Sequence, residues 1–178
     1  SCSFKSYNGQ IGLPLSVLNQ NYTCDAFILE MGMNEKGELE KLVDLAPPDL
    51  VGMTCIEHVH MQSFESLEEL IYEKSKLLSH SKTDCSLIPL DSKGYSILDE
   101  QALSSKMTFS LQKKEADYYL EETGEGLDVY YKEKKVLSFL DPLPTAIQHS
   151  NLLLSIALAN RLGISWENIK KGIGNVSL

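Results

Sequence analysis

The sequence predicts an α/β fold, a mostly parallel sheet flanked by helices, with a small antiparallel β meander near residues 106–140. Three observations carry this reading. Apolar strand-like runs alternate with helical periods through the first half, the signature of parallel strand-helix-strand units. From about residue 106 the runs shorten and are punctuated by Gly124-Glu125-Gly126 and lysine-rich turns. A long apolar helical stretch then follows Pro142 and Pro144.

The first strand is expected at about 24–30, where Cys24-Asp25-Ala26-Phe27-Ile28-Leu29 leads into Glu30 and Gly32 lets the chain turn. Leu39, Leu42, Val43 and Ala46 recur at helical spacing and define a helix at about 36–45, which Pro47-Pro48 ends. A strand at 49–56 follows, then a helix at 66–79 with an inner stripe of Leu67, Leu70, Ile71, Lys74, Leu77 and Leu78, then a strand at 84–90. Short strands at 107–111, 116–122, 127–131 and 136–140 make the meander. A helix at 145–162 stops at Gly163, and Ser165 caps a short last helix carrying Trp166 and Ile169.

At 178 residues with 43% apolar content, the chain is long enough for one domain with a real core. A net charge of -9 excludes nucleic acid or an anionic membrane as the main partner, because both reward clustered Lys and Arg. Cysteines 2, 24, 55 and 85 stand singly without a C-x-x-C pair and read as reduced, packed thiols. Neither an apolar run of membrane-spanning length nor a leader pattern occurs, so a cytoplasmic location is expected. The absence of an initiator Met before Ser1 reads as a piece of something longer.

Glu30 closes an apolar run in Leu29-Glu30-Met31-Gly32-Met33-Asn34. Ligands collect beyond the carboxyl ends of strands in open α/β sheets, so a carboxylate there suits a metal or phosphate site; a helix cap is the competing reading. His60 holds the equivalent place after the strand at 49–56, in Glu57-His58-Val59-His60. Imidazole and carboxylate both suit a divalent cation, and an ordinary surface His-x-His is the alternative. Lys74 sits on an apolar stripe, where a lysine usually snorkels toward water. No G-x-x-x-x-G-K-[ST] loop, nucleophile elbow or zinc spacing occurs, so a complete nucleotide site is missing.

Four blocks resemble the Mur ligases, ATP-dependent enzymes that build the peptide stem of the bacterial cell wall: Asn8 to Pro14, Leu29 to Asn34 with Gly37-Glu38-Leu39, Thr54 to Ser66, and Asn151 to Gly163. Within that family the Leu-Glu-Met-Gly-Met-Asn block resembles the branch that adds D-alanyl-D-alanine to UDP-N-acetylmuramoyl-tripeptide. The resemblance implies that residues 1–178 form a partial central ATP-binding domain of P-loop-like fold. The phosphate loop would precede Ser1, and the N- and C-terminal domains would lie outside. Such a piece is expected to be inactive alone.

ATP and Mg2+ are the implied cofactors, with Glu30, His60 and Lys74 as implied magnesium ligands and His60 and Lys74 in the catalytic role. Lys74 would act as a carbamylated lysine, a carboxylate-like ligand, which accounts for its place on an apolar stripe. Partial burial favours the neutral amine that captures carbon dioxide. Asn151 would contact nucleotide and Asn8 substrate. In the implied reaction a substrate carboxylate takes the γ-phosphoryl group of ATP and an amine displaces it. The chain departs from the family pattern at Cys55, Glu57, Gln62 and Lys76, and Ile147-Gln148 stands where a His-Asn pair is expected. A non-catalytic binding or scaffold module, or a sister ligase adding a different amino acid, are the alternatives.

Overall fold

Burial on both faces picks out one segment as the middle of the sheet. In the computed structural model, which describes residues 8–20, 23–54, 56, 63–141 and 143–175, strand β2 (Cys85–Pro89) buries every side chain. It lies between β1 (Leu50–Gly52) and β3 (Ser105–Ser110), parallel to both. The sheet continues through β4 (Tyr118–Thr123), β5 (Gly126–Tyr131) and β6 (Lys134–Phe139), in the order β1-β2-β3-β4-β5-β6. The fold class is thus as expected, with three parallel pairings and an antiparallel part.

The antiparallel part is narrower than the sequence implied, because β3 runs parallel to β4 and only β4-β5-β6 alternates. Parallel neighbours ordinarily need a crossover of a dozen or more residues, since the chain must travel back along the sheet. Here Phe109 pairs with Tyr118 and Ser110 with Tyr119, so β4 begins beside the end of β3. Residues 111–117 need only cross one interstrand gap of about 5 Å. Asp117 stitches the step: its Oδ2 accepts from the Thr108 N–H at 2.8 Å, while Thr108 Oγ1 accepts from the Asp117 N–H at 3.1 Å.

Helices α5 (Ala146–Arg161) and α6 (Trp166–Ile173) cover one face, burying Leu87, Phe109, Tyr118 and Val129 beneath Leu153 and Ile156. Helix α3 (Leu67–Ser75), a 3-10 turn at Lys76–Leu78 and α4 (Tyr95–Gln101) cover the other, packing Ile71, Leu78 and Leu98 with Val51 and Ile88. Helices α1 (Gly12–Leu18) and α2 (Glu38–Leu45) build a smaller core of Leu13, Leu39 and Leu42. The caps act as their side chains dictate. Thr145 accepts from the Gln148 N–H and donates to its amide oxygen, and Ser165 accepts from the Asn168 N–H.

Two differences stand out. The strand expected at 24–30 does not form a ladder; Ile28 makes one bridge, and its side chain is 62% exposed. A parallel strand needs cover on both faces, and this run lacks it. Helices α1 and α4 were not anticipated, being only seven residues each and too short to display a period. Among the described residues no helix is long and apolar enough to cross a membrane.

Candidate functional site

The segment 30–38 is built by side chains that collect backbone N–H groups. Glu38, in the first turn of α2, accepts from the Asn34 and Glu35 N–H groups at 2.7 and 3.1 Å through one oxygen and from Gln10 Nε2 at 2.7 Å through the other. Glu73 of α3 accepts from the Gly37 N–H at 3.0 Å, and Lys36 pairs with Glu69 at 2.5 Å. The segment that follows Glu30 is therefore docked on the helix that carries Lys74. Ser66 caps that helix by accepting from the Glu69 N–H.

The Asn34 N–H, foremost, holds the Glu38 carboxyl below its ordinary value of 4.5. A depressed carboxyl contributes stability that is present above the unfolded value and lost as pH falls through the folded one. The Asn34 and Glu35 amide resonances are expected to shift together in an acid titration with a midpoint below 4.5, and Glu38→Gln to abolish that step. An NMR titration checks this.

Of the residues singled out in the sequence, Asn8 and Glu30 are brought together. Asn8 Nδ2 donates to Glu30 Oε1 at 2.7 Å, and the Gly32 N–H donates to the Asn8 carbonyl at 2.8 Å. Lys74 is half-buried on α3, one residue beyond the Glu73 that grips Gly37. Asn151 lies on the exposed face of α5 and belongs to none of these bonds. His60 falls outside the described residues, as do Cys55, Glu57 and Gln62. Among the described residues no three His, Cys, Asp or Glu side chains gather round one cation position.

A second polar centre was not foreseen. His149, on the inner face of α5, is 5% exposed. Its Nε2 lies 3.0 Å from both Asp141 oxygens and 3.1 Å from the Leu143 carbonyl, and its Nδ1 lies 3.3 Å from Glu122 of β4. It borders a cavity of about 420 Å³ lined also by Lys113, Lys114 and Tyr119. The only sequence signal was a histidine within an apolar helix, with an aspartate eight residues upstream beyond two prolines.

Comparison with known proteins gives this geometry a family. Residues 3–159 match the Mur ligase middle domain. The UDP-N-acetylmuramoyl-tripeptide--D-alanyl-D-alanine ligase of Bacillus subtilis (strain 168) is 29% identical over 181 residues, which take in 97% of this chain and 38% of that protein. The fold superposes on MurF from Acinetobacter baumannii with a TM-score of 0.86 at 20% identity, covering 99% of this chain and 40% of that one. MurF ligase from Thermotoga maritima, in complex with ADP, gives 0.78 at 20% identity, covering 92% and 39%. At those identities the structural likeness speaks for the fold. The chain spans about two fifths of the length of these relatives. This chain belongs to the Mur ligase family, and what it carries is the family's middle domain.

Proposed function

We propose that this chain is the ATP-using core of a cytoplasmic bacterial ligase that joins D-alanyl-D-alanine to UDP-N-acetylmuramoyl-tripeptide by way of an acyl phosphate. One observation carries the reading. The likeness to the B. subtilis ligase runs through 97% of the chain, and Asn8 and Glu30, two residues the family resemblance implies for the site, meet at 2.7 Å.

The donor set fits magnesium. Glu30 is an exposed carboxylate that accepts from Asn8 Nδ2 at Oε1. Mg2+ takes oxygen ligands, keeps several waters and is usually held by one or two carboxylates plus substrate phosphates. Glu30, His60 and carbamylated Lys74 would hold it. When bound, the cation offsets the negative charge that crowds at a transferring phosphoryl group.

The chain's own residues do the rest. Asn8, by donating to one Glu30 oxygen, restricts the carboxylate's rotation. Glu38 and Glu73 fix the turn that follows it. The neutral amine of Lys74 would bond the carbon of CO2 through its nitrogen and release one proton to solvent, leaving a carbamate. Asn151 offers an amide donor and acceptor to nucleotide from the outer face of α5.

The full-length protein is expected to release ADP and phosphate only when UDP-N-acetylmuramoyl-tripeptide and D-alanyl-D-alanine are both present. A coupled ADP assay checks this. Turnover with a single amino acid in place of the dipeptide moves the protein to a sister ligase. No turnover with any acceptor identifies a binding or scaffold module.

A further inference from the structure

We infer that two polar bolts, at His149 and Asn160, set how far α5 is rotated about its own axis against the sheet. His149 is thereby a positioning residue for the nucleotide face that carries Asn151, and that second half rests on the function proposed above.

The apolar residues of α5 do not fix its rotation. Leu152, Leu153 and Leu154 are consecutive and all buried. Three successive positions span about 200° of a helix, so several rotations bury similar apolar area. Hydrophobic burial has no direction of its own. Hydrogen bonds do, and a buried polar group turned away from its partner is costly.

The two bolts match in spacing. His149 faces Glu122 at 3.3 Å, and the Tyr118 hydroxyl donates to Asn160 Oδ1 at 2.8 Å. Positions 149 and 160 are eleven residues apart, about three full helical turns, so they share a face of α5 roughly 16 Å apart. Tyr118 and Glu122, four apart on β4, share a face of the strand roughly 13 Å apart. Burial pushes the Tyr118 hydroxyl above its ordinary value, so it remains a donor. At the amino end, Asp141 and the Leu143 carbonyl hold the same imidazole from the β6–α5 connection. Asn151 lies two residues beyond His149, about 200° round the helix, so turning His149 inward sends Asn151 outward. A single buried polar residue fixes register in coiled coils by the same logic.

Thiol labelling in a cysteine-free background tests this. With Asn151→Cys or Leu153→Cys introduced, position 151 is expected to label at least ~100-fold faster than position 153, because labelling at 153 needs local opening. In His149→Leu/Asn160→Leu that contrast should fall below ~10-fold while a cooperative melt persists. His149→Gln, which retains an amide donor toward Asp141, should restore most of it. Should the double variant not fold, Tyr118→Phe with Glu122→Ala removes the Asn160 bond and the Glu122 contact from the sheet side, and must reduce the contrast. In the full-length protein the double variant is expected to raise KM for ATP about 10-fold with kcat within about 3-fold. An unchanged labelling contrast in either folded double variant overturns the bolts, and an unchanged KM overturns the positioning role. A wild-type protein without ATP turnover refutes the proposed function instead, and the labelling still decides the bolts.

Discussion

Lys74→Ala in the full-length protein is expected to lower kcat about 10³-fold, equivalent to about 4 kcal/mol of transition-state stabilisation. The size follows from the role. A carbamate on Lys74 would be an anionic ligand to a cation, and its loss would remove a charge from the phosphoryl-transfer site rather than a packing contact. Lys74→Arg separates this from the alternative. A guanidinium keeps the positive charge but does not become a neutral amine in a protein, so it does not capture CO2. Arginine should therefore be as inactive as alanine if the lysine works as a carbamate, and substantially active if it works as a cation. Steady-state assays in CO2-stripped and bicarbonate-supplemented buffer add an independent readout. Wild-type activity that ignores bicarbonate and survives Lys74→Arg would remove the carbamate from the account.

The largest effect on stability is expected at the turn between β4 and β5. Gly126 has φ +144°, and an added Cβ would lie 2.2 Å from the Phe139 carbonyl oxygen and 3.0 Å from the Leu140 Cα. Both obstacles are backbone atoms, so no side-chain rotation relieves them. Gly126→Ala is expected to destabilise by about 3 kcal/mol, from backbone strain and displacement of the β6 end together. For a domain of this length that lowers Tm by roughly 6–12 °C. Gly124, two residues earlier in the same turn, has no positive φ, and a methyl group added there would meet nothing within 4 Å. Gly124→Ala should leave Tm within about 2 °C, and differential scanning calorimetry of the pair reads the contrast directly.

What the sequence made legible depended on whether the signal was local. Helices α2, α3, α5 and α6 followed from apolar spacing, from the prolines ahead of α5 and from Ser165 at the start of α6, because caps and periods are written within a few residues. The direction of β3 was not legible. A short run such as Met107-Thr108-Phe109-Ser110 reads alike in parallel and antiparallel ladders, and its pairing is decided by where β4 begins. The strand expected at 24–30 failed for a related reason: apolar content marks a run that can be buried, and Ile28 is left exposed by its surroundings.

The candidate site was legible only in part. The family resemblance gave Asn8 and Glu30 separate roles, but no spacing across 22 residues revealed that one amide holds the other's carboxylate. The grip of Glu73 on Gly37 spans 36 residues and was equally invisible. His149 escaped notice because a histidine in an apolar helix resembles any satisfied core polar group until Asp141 and Glu122 are seen on either side of its ring.

Among the described residues, strand order in the sheet is the same as strand order in the chain. Each new strand thus finds its neighbour already made, so the sheet can grow by zippering as the polypeptide leaves the ribosome, without waiting for distant segments. Helix α5 is the exception, since it packs across β1, β2, β3 and β4 and emerges after all six strands. Until residue 161 has been synthesised, the apolar face it covers stays open to water.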